Sequence, residues 1–167
     1  MTLLRAAADW IASTGPSRFF QSAVWLVPSV QTIHILAIGV LLTCVSMFNA
    51  RLAGLIGRME SSKQAVESFV PPVWWALLAL AATGIVLVIA EPHRELENQL
   101  FLIKMLLVIV SVVTTVLAIR WASDSPYEEL SGRARGVLIG LAALSTTMWL
   151  LIVACGRWIA YLDVLGQ

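Results

Sequence analysis

The stretch PSVQTIHILAIGVLLTCVSMFNA, residues 28–50, decides the fold. It contains no Asp, Glu, Lys or Arg. As a helix rising about 1.5 Å per residue it would be about 34 Å long, enough to cross the roughly 30 Å hydrocarbon core of a bilayer. Pro28 stands where a helix accepts proline, in its first turn. One ionisable side chain interrupts the run, His34, and an ionisable group inside a span is costly enough to mark a functional site.

Further stretches of the same kind lie at residues 71–90, 100–121 and 136–158. The whole chain of 167 residues is 59% hydrophobic and 13% charged, against about 25% charged in soluble domains. These features predict an all-α integral membrane protein. Short polar connections make its four spans an up-down-up-down bundle over residues 28–167. The net charge of +1 provides no basic field for nucleic acid. The lipid bilayer is the expected partner. Cys44 and Cys155 stand singly, with no Cys-x-x-Cys pair, and read as small packing residues.

Residues 1–27 form an arm. Leu3, Leu4, Ala7, Trp10 and Ile11 fall on one helical face and Arg5 and Asp9 on another, which suits an amphipathic interfacial helix. Arg5 and Asp9 interrupt what would be the apolar core of a signal peptide, so the segment is expected to stay. Gly15-Pro16 ends the helix, and Ser17 is placed to cap a second short one.

Lys/Arg distribution sets orientation. One side carries Arg51, Arg58, Lys63, Arg120, Arg133 and Arg135. The other carries Arg5, Arg18, Arg94 and the span-end residues Lys104 and Arg157. The expectation is a bacterial cytoplasmic membrane with both termini on the periplasmic side.

Depth then gathers four ionisable groups. His34 lies about 9 Å into the first span. Glu91 ends the second span, Lys104 lies one turn into the third, and Arg157 ends the fourth, all toward the same surface. Gln31 shares a face with His34 at i−3, and Lys104, Ser111 and Thr115 fall on one face at i, i+7 and i+11. These faces should point into the bundle.

Four roles for His34 are open. It can be a haem iron ligand, with Gln31 or a backbone carbonyl orienting its other nitrogen and Lys104 and Arg157 neutralising propionates. It can be a proton relay paired with Glu91 or Lys104. It can be a copper ligand, although Met47, Met105 and Cys44 lie at other depths. It can also be a polar residue that holds two helices together. No span contains a second histidine. One chain therefore cannot supply bis-histidine ligation. His93 stands in the polar run after Glu91 and reads as a solvated histidine. Gly136 and Gly140 make one Gly-x-x-x-Gly step, a contact surface for a membrane-complex partner or a second copy.

Ile33-His34-Ile35-Leu36, the run Asn49 to Leu55, Thr83-Gly84, Phe101-Leu102-Ile103-Lys104 and Gly156-Arg157-Trp158-Ile159 resemble a family of small, uncharacterised bacterial four-span membrane proteins. More distantly, a histidine in the first span with an arginine near its end, and a lysine opening a later span, resemble the membrane-bound haem-containing protoporphyrinogen oxidase family. A similar histidine-bearing first span occurs in the copper-resistance membrane protein D family. The oxidase resemblance implies that His34 binds haem b and that Lys104 is its basic partner. The chain departs from that pattern at Asn49-Ala50-Arg51 and in lacking a histidine after Lys104. The expected function is a membrane redox protein or subunit carrying haem b on His34. The alternatives are a structural or assembly subunit and a small metal-handling transporter.

Overall fold

The structure, a computed structural model, describes residues 2–56, 62–124 and 132–165, with side chains over 3–56, 64–121 and 132–156. Arg58, Glu128 and Glu129, and the side chains of Lys63, Asp124, Arg157 and Trp158, lie outside the described residues. The described residues form α1 (Thr2–Ala12), α2 (Gly15–Ser22), α3 (Leu26–Leu52), α4 (Ser62–Ala90), α5 (Pro92–Leu96), α6 (Gln99–Asp124) and α7 (Gly132–Leu165), with no strand among them. The chain is an all-α helical bundle. Four helices, α3, α4, α6 and α7, are long and apolar enough to cross a membrane, and we read the chain as a multi-pass membrane protein.

The four helices close a ring in which α3 packs on α4 and α7, and α6 packs on α7 and α4. Two buried clusters fill it. Leu41, Val45, Val73, Ala76, Trp149 and Ile152 form one, and Phe48, Leu52, Ala65, Ala118 and Leu138 form the other. Leu36, Leu78, Leu106 and Leu150 are exposed, as residues facing lipid should be.

Local chemistry explains the helix ends. Gly54 takes φ 70, and Leu55 N–H and Gly54 N–H donate to the carbonyls of Ala50 and Arg51. This left-handed glycine with its paired 6→1 and 5→2 bonds closes α3. The second long helix begins at Ser62, well before Pro71, so Pro71 and Pro72 sit inside it. Proline within a helix removes backbone donors. A helix packed in a membrane tolerates this where neighbours re-satisfy the freed carbonyls.

The arm also departs from expectation in one detail. Ser17 does not cap α2, which starts at Gly15 with Pro16 in its first turn. Ser17 is instead buried and accepts a hydrogen bond from Gln21 Nε2 at 3.2 Å. Gln21 Nε2 also donates to the Ala90 carbonyl at 3.1 Å, tying the arm to α4. On α1, Ala8 is 0% exposed whereas Leu3 and Trp10 are 86% and 70% exposed. The small residue meets the protein and the large apolar ones are left for the lipid interface.

Polar groups cross between helices in the half of the bundle away from His34. Asn49 Nδ2 donates to Thr146 Oγ1 at 2.9 Å. Thr115 Oγ1 donates to the Ser111 carbonyl at 2.7 Å and lies 3.2 Å from Ser145 Oγ. Trp149 Nε1 donates to the same Thr115 oxygen at 3.3 Å. Interhelical hydrogen bonds in membranes average about 0.6 kcal/mol. A double-mutant cycle of Asn49→Ala and Thr146→Val, read by reversible unfolding in mixed micelles, should therefore give a coupling of about 0.6 kcal/mol. Purely additive losses would show that the bond adds nothing to stability.

Candidate functional site

His34 lies on α3 about two turns from its start and turns toward α4. Its Nδ1 is 2.7 Å from Thr83 Oγ1. The Thr83 hydroxyl also lies 2.6 Å from the Ala79 carbonyl in its own helix. A hydroxyl has one proton to donate, and an oxygen–oxygen distance this short requires a proton between the atoms. Thr83 therefore donates to Ala79 and accepts from His34 Nδ1–H. That assignment leaves the lone pair of the neutral ring on Nε2.

Lys104, on α6, is half-buried and lies within electrostatic range of the His34 ring. Among the described residues no side chain forms a hydrogen bond or ion pair with its ammonium. Two glycines flank the pair. A Cβ at Gly84 would stand 3.7 Å from His34 Cε1, and a Cβ at Gly156 would stand 3.8 Å from Lys104 Nζ. Four helices thus contribute to one locus: His34 from α3, Thr83 and Gly84 from α4, Lys104 from α6, and Gly156 from α7. Arg157 follows Gly156 in α7, and its side chain lies outside the described residues.

Other residues singled out in the sequence are placed elsewhere. Gln31 is half-buried but forms no hydrogen bond with His34, whose partner is Thr83. Glu91 pairs with Arg94 at 2.5 Å. His93 lies on α5 and meets Glu97. Ser111 and Thr115 are buried as the Lys104 stripe predicts, and Ser111 Oγ has no hydrogen-bond partner among the described residues. Cys44 and Cys155 are free thiols. Thr83 is the partner of His34 that composition and spacing did not mark. A threonine in a span ordinarily bonds its own helix, so nothing local reveals that it also accepts from His34.

Two further features bound the site. A shallow groove of about 450 Å3 is lined by Ile35, Leu36, Gly39, Val40, Thr43 and Cys44. All six belong to α3, on the side turned away from His34 at about 100° per residue, so the groove faces lipid. Among the described residues no three His, Cys, Asp or Glu side chains gather to hold a metal ion. An imidazole whose Nδ1 is held by Thr83 and a cation within electrostatic range of the ring are groups that could hold an anionic, metal-bearing cofactor. Comparison with protein families, with curated proteins and with solved structures found no match.

Proposed function

We propose that this chain is a membrane redox protein, or the redox subunit of a membrane complex, that carries haem b on His34. The observation that carries the reading is the His34 Nδ1–Thr83 Oγ1 bond of 2.7 Å. A metal-ligating imidazole characteristically donates its other N–H to a fixed acceptor, which orients the ring and raises its basicity. His34 Nε2 is the iron ligand in this reading, Thr83 holds the ring, and Lys104 pairs with a propionate. Gly84 and Gly156 keep the flanks of His34 and Lys104 free of side chains. Bound haem b supplies a one-electron couple whose potential responds to the ligand, to nearby charge and to burial. The distant resemblance of the His34 and Lys104 stretches to the haem-containing protoporphyrinogen oxidases points the same way. In this proposal the protein lies in the bacterial cytoplasmic membrane, with both termini and the His34 end on the periplasmic side.

The test is an absorption spectrum of the full chain purified in mild detergent, before and after titration with haemin. The expected result is a Soret band that shifts on reduction and is lost in His34→Ala. Lys104→Ala should retain the band and alter the midpoint potential. A wild-type chain with no Soret band and no saturable haemin uptake would overturn the proposal.

A second reading is that the chain is a structural or assembly subunit. One observation favours it: a Cβ at Gly136 or Gly140 would meet no atom within 4 Å. Among the described residues the Gly-x-x-x-Gly surface is therefore uncovered, and in this reading it receives a partner helix. This reading expects Gly140→Ile to abolish a membrane-complex or homo-oligomeric association while His34→Ala leaves it intact.

A further inference from the structure

Ser111 lies near the middle of α6 and is 0% exposed, and among the described residues its Oγ has no hydrogen-bond partner. Other hydroxyls in the spans do not behave this way. Thr43, Thr83, Thr115 and Thr146 each donate to the carbonyl four residues back in their own helix, a common resort of a hydroxyl in a span. Ser111 does not make that bond. A buried hydroxyl left dry and unbonded is costly, and lipid offers it no partner.

The register between α6 and α7 shows what Ser111 faces. Thr115 Oγ1 lies 3.2 Å from Ser145 Oγ, and a Cβ at Gly156 would stand 3.8 Å from Lys104 Nζ. The two helices therefore run antiparallel in a register that sets Ser111 opposite Trp149, which is 4% exposed. The protons at this node can be assigned. Thr115 donates its proton to the Ser111 carbonyl at 2.7 Å. Its two lone pairs then receive the Ser145 hydroxyl and Trp149 Nε1–H, the latter at 3.3 Å. Both cross-helix distances exceed the usual values of about 2.8 Å for O–H···O and about 3.0 Å for N–H···O. Thr115 is thus fully engaged. Two groups keep capacity: the Ser111 hydroxyl, with its proton and both lone pairs, and Ser145 Oγ, with two lone pairs.

We infer that Ser111 and Ser145 hold a water molecule between α6 and α7 in the interior of the bundle. The water accepts the Ser111 proton and donates to a Ser145 lone pair, or donates to both oxygens. Two to four such partners are what a buried water ordinarily makes. Ions do not suit the site. Residues 28–50, 71–90, 105–121 and 136–156 contain no Asp or Glu, so a cation would lack a counter-charge. An anion would find one uncommitted proton, that of Ser111, and the basic group on the same face, Lys104, is about 10 Å away along α6. Water is neutral and serves a donor and an acceptor at once. It completes a polar seam: Ser111, Thr115 and Ser145 join α6 to α7, and Thr146, next to Ser145, is bonded to Asn49 of α3. The inference is independent of whether His34 binds haem.

Reversible unfolding of the full chain in mixed micelles tests it. Ser111→Ala should raise the unfolding equilibrium constant about two- to tenfold, the effect of losing one hydrogen bond, because the water loses a partner. Ser145→Ala should raise it at least as much, since it also loses the bond to Thr115. The two serines share no direct hydrogen bond, so a common water predicts that the double variant loses less than the product of the single factors. A second readout uses the folded protein. With 5-fluorotryptophan incorporated, the Trp149 fluorine resonance, assigned through Trp149→Phe, should shift between H2O and D2O in the wild type and stop doing so in Ser111→Ala. An unfolding constant that Ser111→Ala leaves unchanged or lowers would mean that the hydroxyl is dry or bonded within its own helix, and would overturn the site. Losses that simply multiply in the double variant, or a wild-type Trp149 resonance indifferent to deuterium, would overturn it as well.

Discussion

Replacing Phe48 with alanine is expected to destabilise the bundle by about 3 kcal/mol, the low end of the range for deleting a buried aromatic side chain. Phe48 is 2% exposed and packs with Leu52, Ala65, Ala118 and Leu138. The expected cost lies at the low end for a physical reason. Lipid tails are as apolar as the bundle core, so the transfer contribution that drives soluble cores is largely absent between membrane helices. What remains is lost dispersion contact and the cavity left behind. Those contributions do not depend on water, and a rigid ring of four helices collapses only partly into the gap. Unfolding in mixed micelles measures the loss directly. Leu36→Ala is the control, because Leu36 is 65% exposed to lipid and should change stability by less than about 0.5 kcal/mol. Equal losses at the two positions would mean that the apolar driving force, rather than interhelical packing, holds the bundle.

The same physics explains what could be read from the chain in advance. Four apolar runs and the charges between them specify four spans, because a bilayer demands length and hydrophobicity and little else. The exposed leucines confirm how undemanding the lipid-facing surface is. His34 and Lys104 were legible because an ionisable group in such a run stands out. Their surroundings were not. Thr83, Asn49 and Thr146 act through register between helices, and no single-helix pattern encodes that register. The start of α4 is not legible for a related reason. The apolar stretch of residues 71–90 opens on Pro71-Pro72, yet the helix begins at Ser62, and only neighbouring packing can stabilise it through two missing donors. His93 reads as a solvated side chain. Its pairing with Asp9 spans most of the arm and half the chain in sequence, and it appears only once Pro92 has started α5 beside α1.

Thr83→Val is expected to lower the affinity for haemin about 10- to 100-fold, the usual effect of losing the group that orients a metal-binding imidazole. Valine keeps the shape of threonine but cannot accept a hydrogen bond. His34 Nδ1–H would then face a methyl group, and the ring would have reason to move its proton to Nε2 or to turn. Either response removes the lone pair from the position it now holds. Thr83→Ser retains the acceptor and should bind nearly as the wild type does. Gly84→Ala provides a steric comparison. Its Cβ would lie 3.7 Å from His34 Cε1, an ordinary van der Waals contact, so binding should change little. The argument also has a readout that needs no haem. Nitrogen-15 spectra of the imidazole should show a protonated Nδ1 and an unprotonated Nε2 in the wild type, and a different or mixed tautomer in Thr83→Val. If the tautomer were altered and haemin bound as before, the Thr83 bond would be a packing feature and His34 would have some other orienting group. If the tautomer changed and binding fell together, the 2.7 Å bond between α3 and α4 would be the feature that converts a polar residue in a membrane span into a ligand.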